Sequence, residues 1–276
     1  MRPLLYLILI AILSGCVKNE NEMNKIIFLH HSTGKVIWRG NTNRYIGKLF
    51  KKGDVKTYIR KYNKSAKKNY HIEELYFPRP PYGWKNDPYD YYNIWVKNAG
   101  ENPYMEQSTL EILTKEYDVI IFKHCYHASK NSEDTGNPDI NSVERRLENY
   151  KLQYEALKQK IHEFPENKFI IWTPAVHIEK NLSEEQARRT LEFYNWMLNE
   201  WDEKGDNIYI WDFYKYETEG GLYLLDKYSD GSSHPNQAFG ARLAPLFAAS
   251  IIPGPPPVIT ANPFSTKTWA VSSAKR

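Results

Sequence analysis

Five apolar runs of five to seven residues, spaced along the chain with helical stretches between them, constrain this sequence more than any other feature. They are Lys25 to Leu29, His71 to Phe77, Tyr117 to Phe122, Lys168 to Trp172 and Asn207 to Phe213. Runs this short and this apolar read as strands buried on both faces. Short helical stretches are expected around Arg44 to Lys51 and Val55 to Lys67, parted by Gly53-Asp54. The strongest helix is expected from Val143 to Phe164, with Ser142 as its N-cap and Leu147, Tyr150, Tyr154, Leu157 and Ile161 on one stripe. Ser183 with Gln186 has the spacing of a capping box and opens another, which ends near Gly205. A last helix starts near Pro235 and reaches Ile251. Strands alternating with helices predict an α/β fold: a three-layer α/β/α sandwich, of the flavodoxin-like kind, around a mostly parallel sheet of roughly five strands.

The ends of the chain read differently. Arg2 gives a positive start, and Leu4 to Leu13 form an apolar run short for a bilayer span, as in an export signal over residues 1–16. Leu13-Ser14-Gly15-Cys16 resembles a bacterial lipoprotein processing site. That resemblance implies cleavage before Cys16 and acylation of its thiol. The domain would then be lipid-anchored in the cell envelope, outside the cytoplasm, with the bilayer as a partner. Residues 17–24 are a polar tether and residues 25–252 the folded domain; residues 253–276 begin Pro-Gly-Pro-Pro-Pro, carry no acidic group, and are expected to be disordered or loosely docked. With Cys16 given to lipid, Cys125 has no intramolecular partner, so stability must come from a packed core. Setting aside Arg2, Lys267, Lys275 and Arg276, 33 basic residues face 33 acidic ones. A balanced domain has no electrostatic footprint for nucleic acid.

The histidines carry the functional signal. Of eight, six fall just past apolar runs: His30, His31, His124, His127, His177 and His234. A parallel sheet gathers its working groups at the carboxyl ends of its strands, and imidazole serves acid–base or metal chemistry near neutral pH. Ser32 lies just beyond the first run on Ser32-Thr33-Gly34, small residues suited to a tight turn, where a hydroxyl is exposed and a following helix start offers amide donors to an oxyanion. The plainer role for Ser32 or Thr33 is helix capping. A base must accompany a serine nucleophile. His234, set before Pro235 at a helix entrance, supplies one, and Asp230 four residues earlier can orient it.

On Ser32 and the Asp230-to-His234 stretch, the chain from Lys25 to Ile252 resembles the SGNH, or GDSL-like, hydrolases. The resemblance implies an α/β/α sandwich that cleaves esters, including acetyl groups on polysaccharides, with no metal or organic cofactor. It makes Ser32 the nucleophile, His234 the base and Gly83 an oxyanion donor. The chain departs from the pattern in three places. His30-His31-Ser32 stands for Gly-Asp-Ser, and Lys123-His124-Cys125-Tyr126 stands where a Gly-x-Asn-Asp block belongs. Asp230 is four rather than three residues before His234. The oxyanion asparagine is therefore missing; Asn131 or Asn137 could replace it if the loop folds back, and His31 and His124 are further substrate-side candidates.

Two other chemistries compete. His30, His31, His124, Cys125, His127 and His177 could supply a zinc site if three converged, although no carboxylate-rich metal motif accompanies them and no metal ligand is assigned. Cys125 beside His124 could act as a thiol nucleophile. Tyr76, Phe77, Tyr82, Trp84, Tyr89, Tyr91, Tyr92 and Trp95 crowd one Pro- and Asn-rich segment. Buried, they form a satellite core; exposed, Tyr82 and Trp84 would stack on sugar rings, with Arg79 and Lys85 near enough for an acidic sugar. The expected function is an extracytoplasmic serine esterase that deacetylates a carbohydrate. The alternatives are a carbohydrate-binding lipoprotein without catalysis, a metal-dependent hydrolase and an acetyltransferase.

Overall fold

The computed structural model describes residues 24–43, 45 and 52–252. The signal, Cys16, the tail and nearly all of the stretch expected to be helical at 44–51 lie outside the described residues. Five strands, β1 (Asn24–His30), β2 (Tyr70–Tyr76), β3 (Val119–Phe122), β4 (Lys168–Trp172) and β5 (Ile208–Trp211), form one parallel sheet in the order β2-β1-β3-β4-β5. Eight α-helices accompany them among the described residues: α1 (Ser32–Arg39), α2 (Asp54–Ala66), α3 (Pro88–Tyr92), α4 (Leu110–Glu116), α5 (Leu147–His162), α6 (Glu184–Trp196), α7 (Phe213–Thr218) and α8 (Gln237–Ile251). None of the described helices is long and apolar enough to cross a membrane.

Strand alternation divides the core into two layers. Ile26 and Phe28 of β1 point to one face, where they meet Ile37 and Trp38 of α1, Val55 and Ile59 of α2, and Leu243 and Phe247 of α8. Ile27 and Leu29 point to the other and pack with Trp95, Leu110, Tyr154 and Leu157 of α5, and Phe193 and Trp196 of α6. The result is the expected three-layer sandwich. Its strand order reverses between β1 and β3, which opens a crevice beyond their carboxyl ends.

Several elements depart from expectation. Ser32-Thr33-Gly34 is not a turn but the first turn of α1. A Cβ on Gly34 would lie 2.5 Å from the Cβ of His30, so glycine here lets the helix sit directly on the end of β1. The helix expected from Val143 begins at Leu147, because the Ser142 hydroxyl accepts from the Glu144 amide and holds a local turn, while Arg146 remains extended. Ser183 caps α6 in the expected box with Gln186, and Asn236, rather than His234 or Pro235, caps α8 by accepting from the Phe239 amide at 2.8 Å. The segment expected as a long loop after β2 contains α3 and one π-turn, Asn93–Lys97. Phe77, Tyr91 and Trp95 within it are fully buried, forming the satellite core.

Candidate active site

All six histidines flagged above lie at the carboxyl edge of the sheet, but they do not form one cluster. His30 ends β1 and is buried; its Nε2 faces Glu74 at 3.0 Å and its Nδ1 donates to the His31 carbonyl at 3.0 Å. Burial lowers its pKa while Glu74 opposes the shift. Lys35 of α1 pairs with the same Glu74. His31 is the residue before α1, and its Nε2–H donates to the Pro78 carbonyl at 2.6 Å. Burial lowers it to about 4, so the ring is neutral and ties the start of α1 to the loop after β2. Ser32 follows as the first helical residue, half-buried. Its hydroxyl makes no hydrogen bond to any described residue, and the first-turn amides around it have no partner within the helix.

The β3 edge sorts Lys123 from His124 by parity. Leu29 pairs with Phe122, so Lys123 comes beside His30 on the α1 face. His124 passes to the other face, where its Nε2 contacts the Tyr154 hydroxyl and its ring packs on Tyr91 and Phe122. Burial drops His124 to about 3. His124 is thus a core histidine, not a substrate contact. Lys123 is 1 % exposed and its Nζ has no partner among the described residues. Burial lowers it to about 8, so the ammonium persists near neutral pH. Glu217, its nearest carboxyl influence, is itself buried and held well above the carboxylate range, so it provides no counter-charge.

The remaining three histidines meet around Tyr126, in the 3₁₀ turn Tyr126–Ser129 after β3. The Tyr126 ring stacks on His127 at 4.4 Å and meets His177 and His234 edge-on at 4.7 and 5.0 Å. His234 is oriented from behind. Asp230 accepts from the Ser232 amide at 2.9 Å and from the Ser232 hydroxyl at 2.6 Å. With its only proton given to Asp230, the Ser232 oxygen accepts from His234 Nδ1–H at 3.1 Å. The Asp230 carboxylate therefore does not bond the His234 ring directly, as the sequence suggested, but acts through Ser232, while the Asp230 amide donates to the His234 carbonyl at 2.9 Å. The extra residue between acid and base is the room that this relay needs. Nδ1 being protonated, Nε2 carries the lone pair a base requires; its neighbour is the Tyr126 hydroxyl at 3.5 Å. Burial, then Lys123, lower the pKa of His234, while Asp230 raises it. No hydrogen bond joins Ser32 to His234 in this structure; Ser32 opens α1, and His234 lies just before α8, the helix that packs on α1.

The other predicted residues distribute as follows. The Gly83 amide already donates, at 3.4 Å, to the Arg79 carbonyl within its own turn. The Tyr82 hydroxyl donates to Asp90 at 3.1 Å and accepts from Asn93, a framework role. Asn137 is exposed in a turn around Thr135 and cannot stand for the missing asparagine, while Asn131 is buried between Thr190 and Arg189. Trp84, 61 % exposed, meets the edge of His127 at 5.9 Å and is the flat surface left open at the site. Cys125 Sγ lies 3.0 Å from His127 Nδ1, not beside His124. His124 and His127 face different layers, so the metal set proposed around them does not converge. Among the described residues the one group with metal-holding spacing is His162, Glu203 and Asp206, at the opposite, amino edge of the sheet. Sequence reasoning missed Ser232 and Tyr126; Ser232, lying between Asp230 and His234, was the available signal.

No protein family, no curated protein and no solved structure is found to match the chain.

Proposed function

We propose that the protein is a serine esterase that removes an acyl group, most simply acetyl, from a carbohydrate in the cell envelope, where the Cys16 lipid would hold it. The observation that carries this reading is the Asp230–Ser232–His234 relay, which leaves a neutral imidazole with an unprotonated Nε2 whose neighbour is the Tyr126 hydroxyl. Ser32 attacks the ester carbonyl and its proton passes to His234 Nε2. The alcohol leaves with that proton, and water, activated in turn by His234, discharges the acyl group from Ser32. The oxyanion meets the first-turn amides of α1, which aim at the site with the favourable end of the helix dipole. The buried Lys123 charge beneath α1 adds to the same potential and compensates for the missing asparagine. Gly83 is not needed in this account.

A fluorophosphonate probe applied to the full chain tests it, with the adduct located by mass spectrometry. Labelling at Ser32 that disappears in Ser32→Ala and falls at least about tenfold in His234→Ala is expected. Labelling of neither, in folded protein, would defeat the proposal. The 3.0 Å contact between Cys125 and His127 favours one second reading, a thiol nucleophile, although Cys125 is buried. Modification at Cys125 instead of Ser32 would favour it.

A further inference from the structure

His177 has a feature that the esterase reading leaves unused. It follows β4 and is 4 % exposed, yet its Nε2 has no hydrogen-bond partner. Its Nδ1 contacts the Ser233 hydroxyl, and that hydroxyl accepts from the Asn181 side-chain amide at 3.2 Å. Among the described residues the Ser233 hydroxyl has two partners, the Asn181 amide nitrogen, which can only donate to it, and His177 Nδ1, so the one acceptor for the Ser233 proton is Nδ1. The ring proton must then sit on Nε2. A buried N–H with nothing to donate to is costly and rare, and in a crevice it marks where a ligand atom belongs.

The surroundings of that donor are basic. His177 meets Tyr126 at 4.7 Å and His127 at 5.8 Å. Lys130 closes the same 3₁₀ turn, its amide donating to the His127 carbonyl at 3.0 Å. The Arg145 carbonyl accepts from the Ser132 amide at 2.7 Å, and its guanidinium pairs with Asp87 at 3.0 Å. Lys130 and Arg145 both disfavour protonation of His127 and His177. Burial and these charges hold His177 at about 3, so it is a neutral donor throughout the physiological range. The exposed face of Trp84 completes the floor of the crevice on the His127 side.

The geometry points to a subsite for an anionic group of the substrate, received by the His177 Nε2–H and flanked by Lys130 and Arg145, with Trp84 stacking on the sugar that bears it. The inference rests on the carbohydrate-esterase reading and narrows it to acidic glycans. A carboxylate of a uronic acid and a sulfate ester share this chemistry. His177 is here a specificity-determining donor and takes no part in proton transfer to His234.

Calorimetric titration of the full-length Ser32→Ala protein tests it, since turnover is then blocked. The probes are tetragalacturonate, its carboxyl-reduced counterpart and a sulfated galactan tetrasaccharide. Tetragalacturonate is expected to bind at least about tenfold more tightly than the reduced form, with the difference shrinking as salt rises. Adding His177→Phe, which keeps a ring against Tyr126 but no N–H, should remove most of that preference. Lys130→Ala, at an exposed position where misfolding is not expected, should reduce it about threefold or more. Preference for the sulfated probe with the same dependence would assign the subsite to sulfate. Equal binding of acidic and reduced probes, no glycan binding at all, or a preference indifferent to both variants would overturn the inference. Because binding is read without catalysis, an acidic preference persists even if probe labelling of Ser32 fails, and the two readings fall separately.

Discussion

Ser232 is the residue on which the proposed chemistry depends most subtly. The Asp230 carboxylate and the His234 ring share no direct hydrogen bond; a hydroxyl stands between them and sets the imidazole tautomer. Removing it leaves Nδ1–H without its acceptor and the ring free to turn. Ser232→Ala is therefore expected to lower kcat/KM on an aryl acetate by about 10- to 100-fold, mostly in kcat, and Asp230→Asn to do the same or less. Because the two act in series, the double variant should be no slower than Ser232→Ala alone. Independent, multiplying losses would show that Asp230 works by another route. Part of the candidate site is legible in the chain: Ser32 and His234 are candidates because their types and positions at strand ends and helix entrances need no tertiary knowledge. The relay was not, because a four-residue spacing says nothing about which side chain turns inward. The fate of Lys123 and His124 was legible in principle from strand parity, since neighbours on an extended chain point to opposite layers.

At the scale of elements, the fold was read well wherever periodicity was strong, as in β1, β4 and α6, and poorly where close contact overrode propensity. α1 was missed because Ser-Thr-Gly carries every local sign of a turn; what makes it helical is the approach of Gly34 to His30. The same device recurs where α8 crosses α1. A Cβ on Gly240 would come within 2.7 Å of the Val36 carbonyl, which is backbone and cannot rotate away. Gly240→Ala gains about 1 kcal/mol of helix propensity but must push the helices apart, so a net loss of about 1–3 kcal/mol is expected in denaturant unfolding. Since α1 carries Ser32 and α8 follows His234, kcat on the same acetate should fall as well. A variant more stable than the parent with full activity would contradict this account of the crossing.

For the whole molecule, the carboxyl edge is an acid-sensitive layer. His124 and His177 are buried, and both are held at about 3 by burial above all. Unfolded histidines take up protons below about 6.5, whereas these two resist until far lower pH, so the unfolded state binds more protons across that window. Stability is complete above about pH 6.5 and is expected to fall by on the order of a few kcal/mol by pH 4. Thermal melting between pH 7 and 4 measures this, and His124→Phe should flatten the decline; a melting temperature constant over that range would refute it. Much of the tertiary arrangement lay outside the reach of sequence for a related reason: whether an aromatic loop residue such as Trp84 or Trp95 ends in solvent or in the core is decided by partners hundreds of atoms away.

The first and last of the described helices, α1 and α8, lie against each other, and α8 also covers α2. During synthesis the helix that carries Ser32 is made early and its cover late, with four of the five strands in between. The crevice thus cannot mature while the polypeptide is growing, and contacts of such long sequence separation form late. If the proposed esterase activity holds, a growing chain would be chemically silent until α8 arrives, so activity itself would report completed folding.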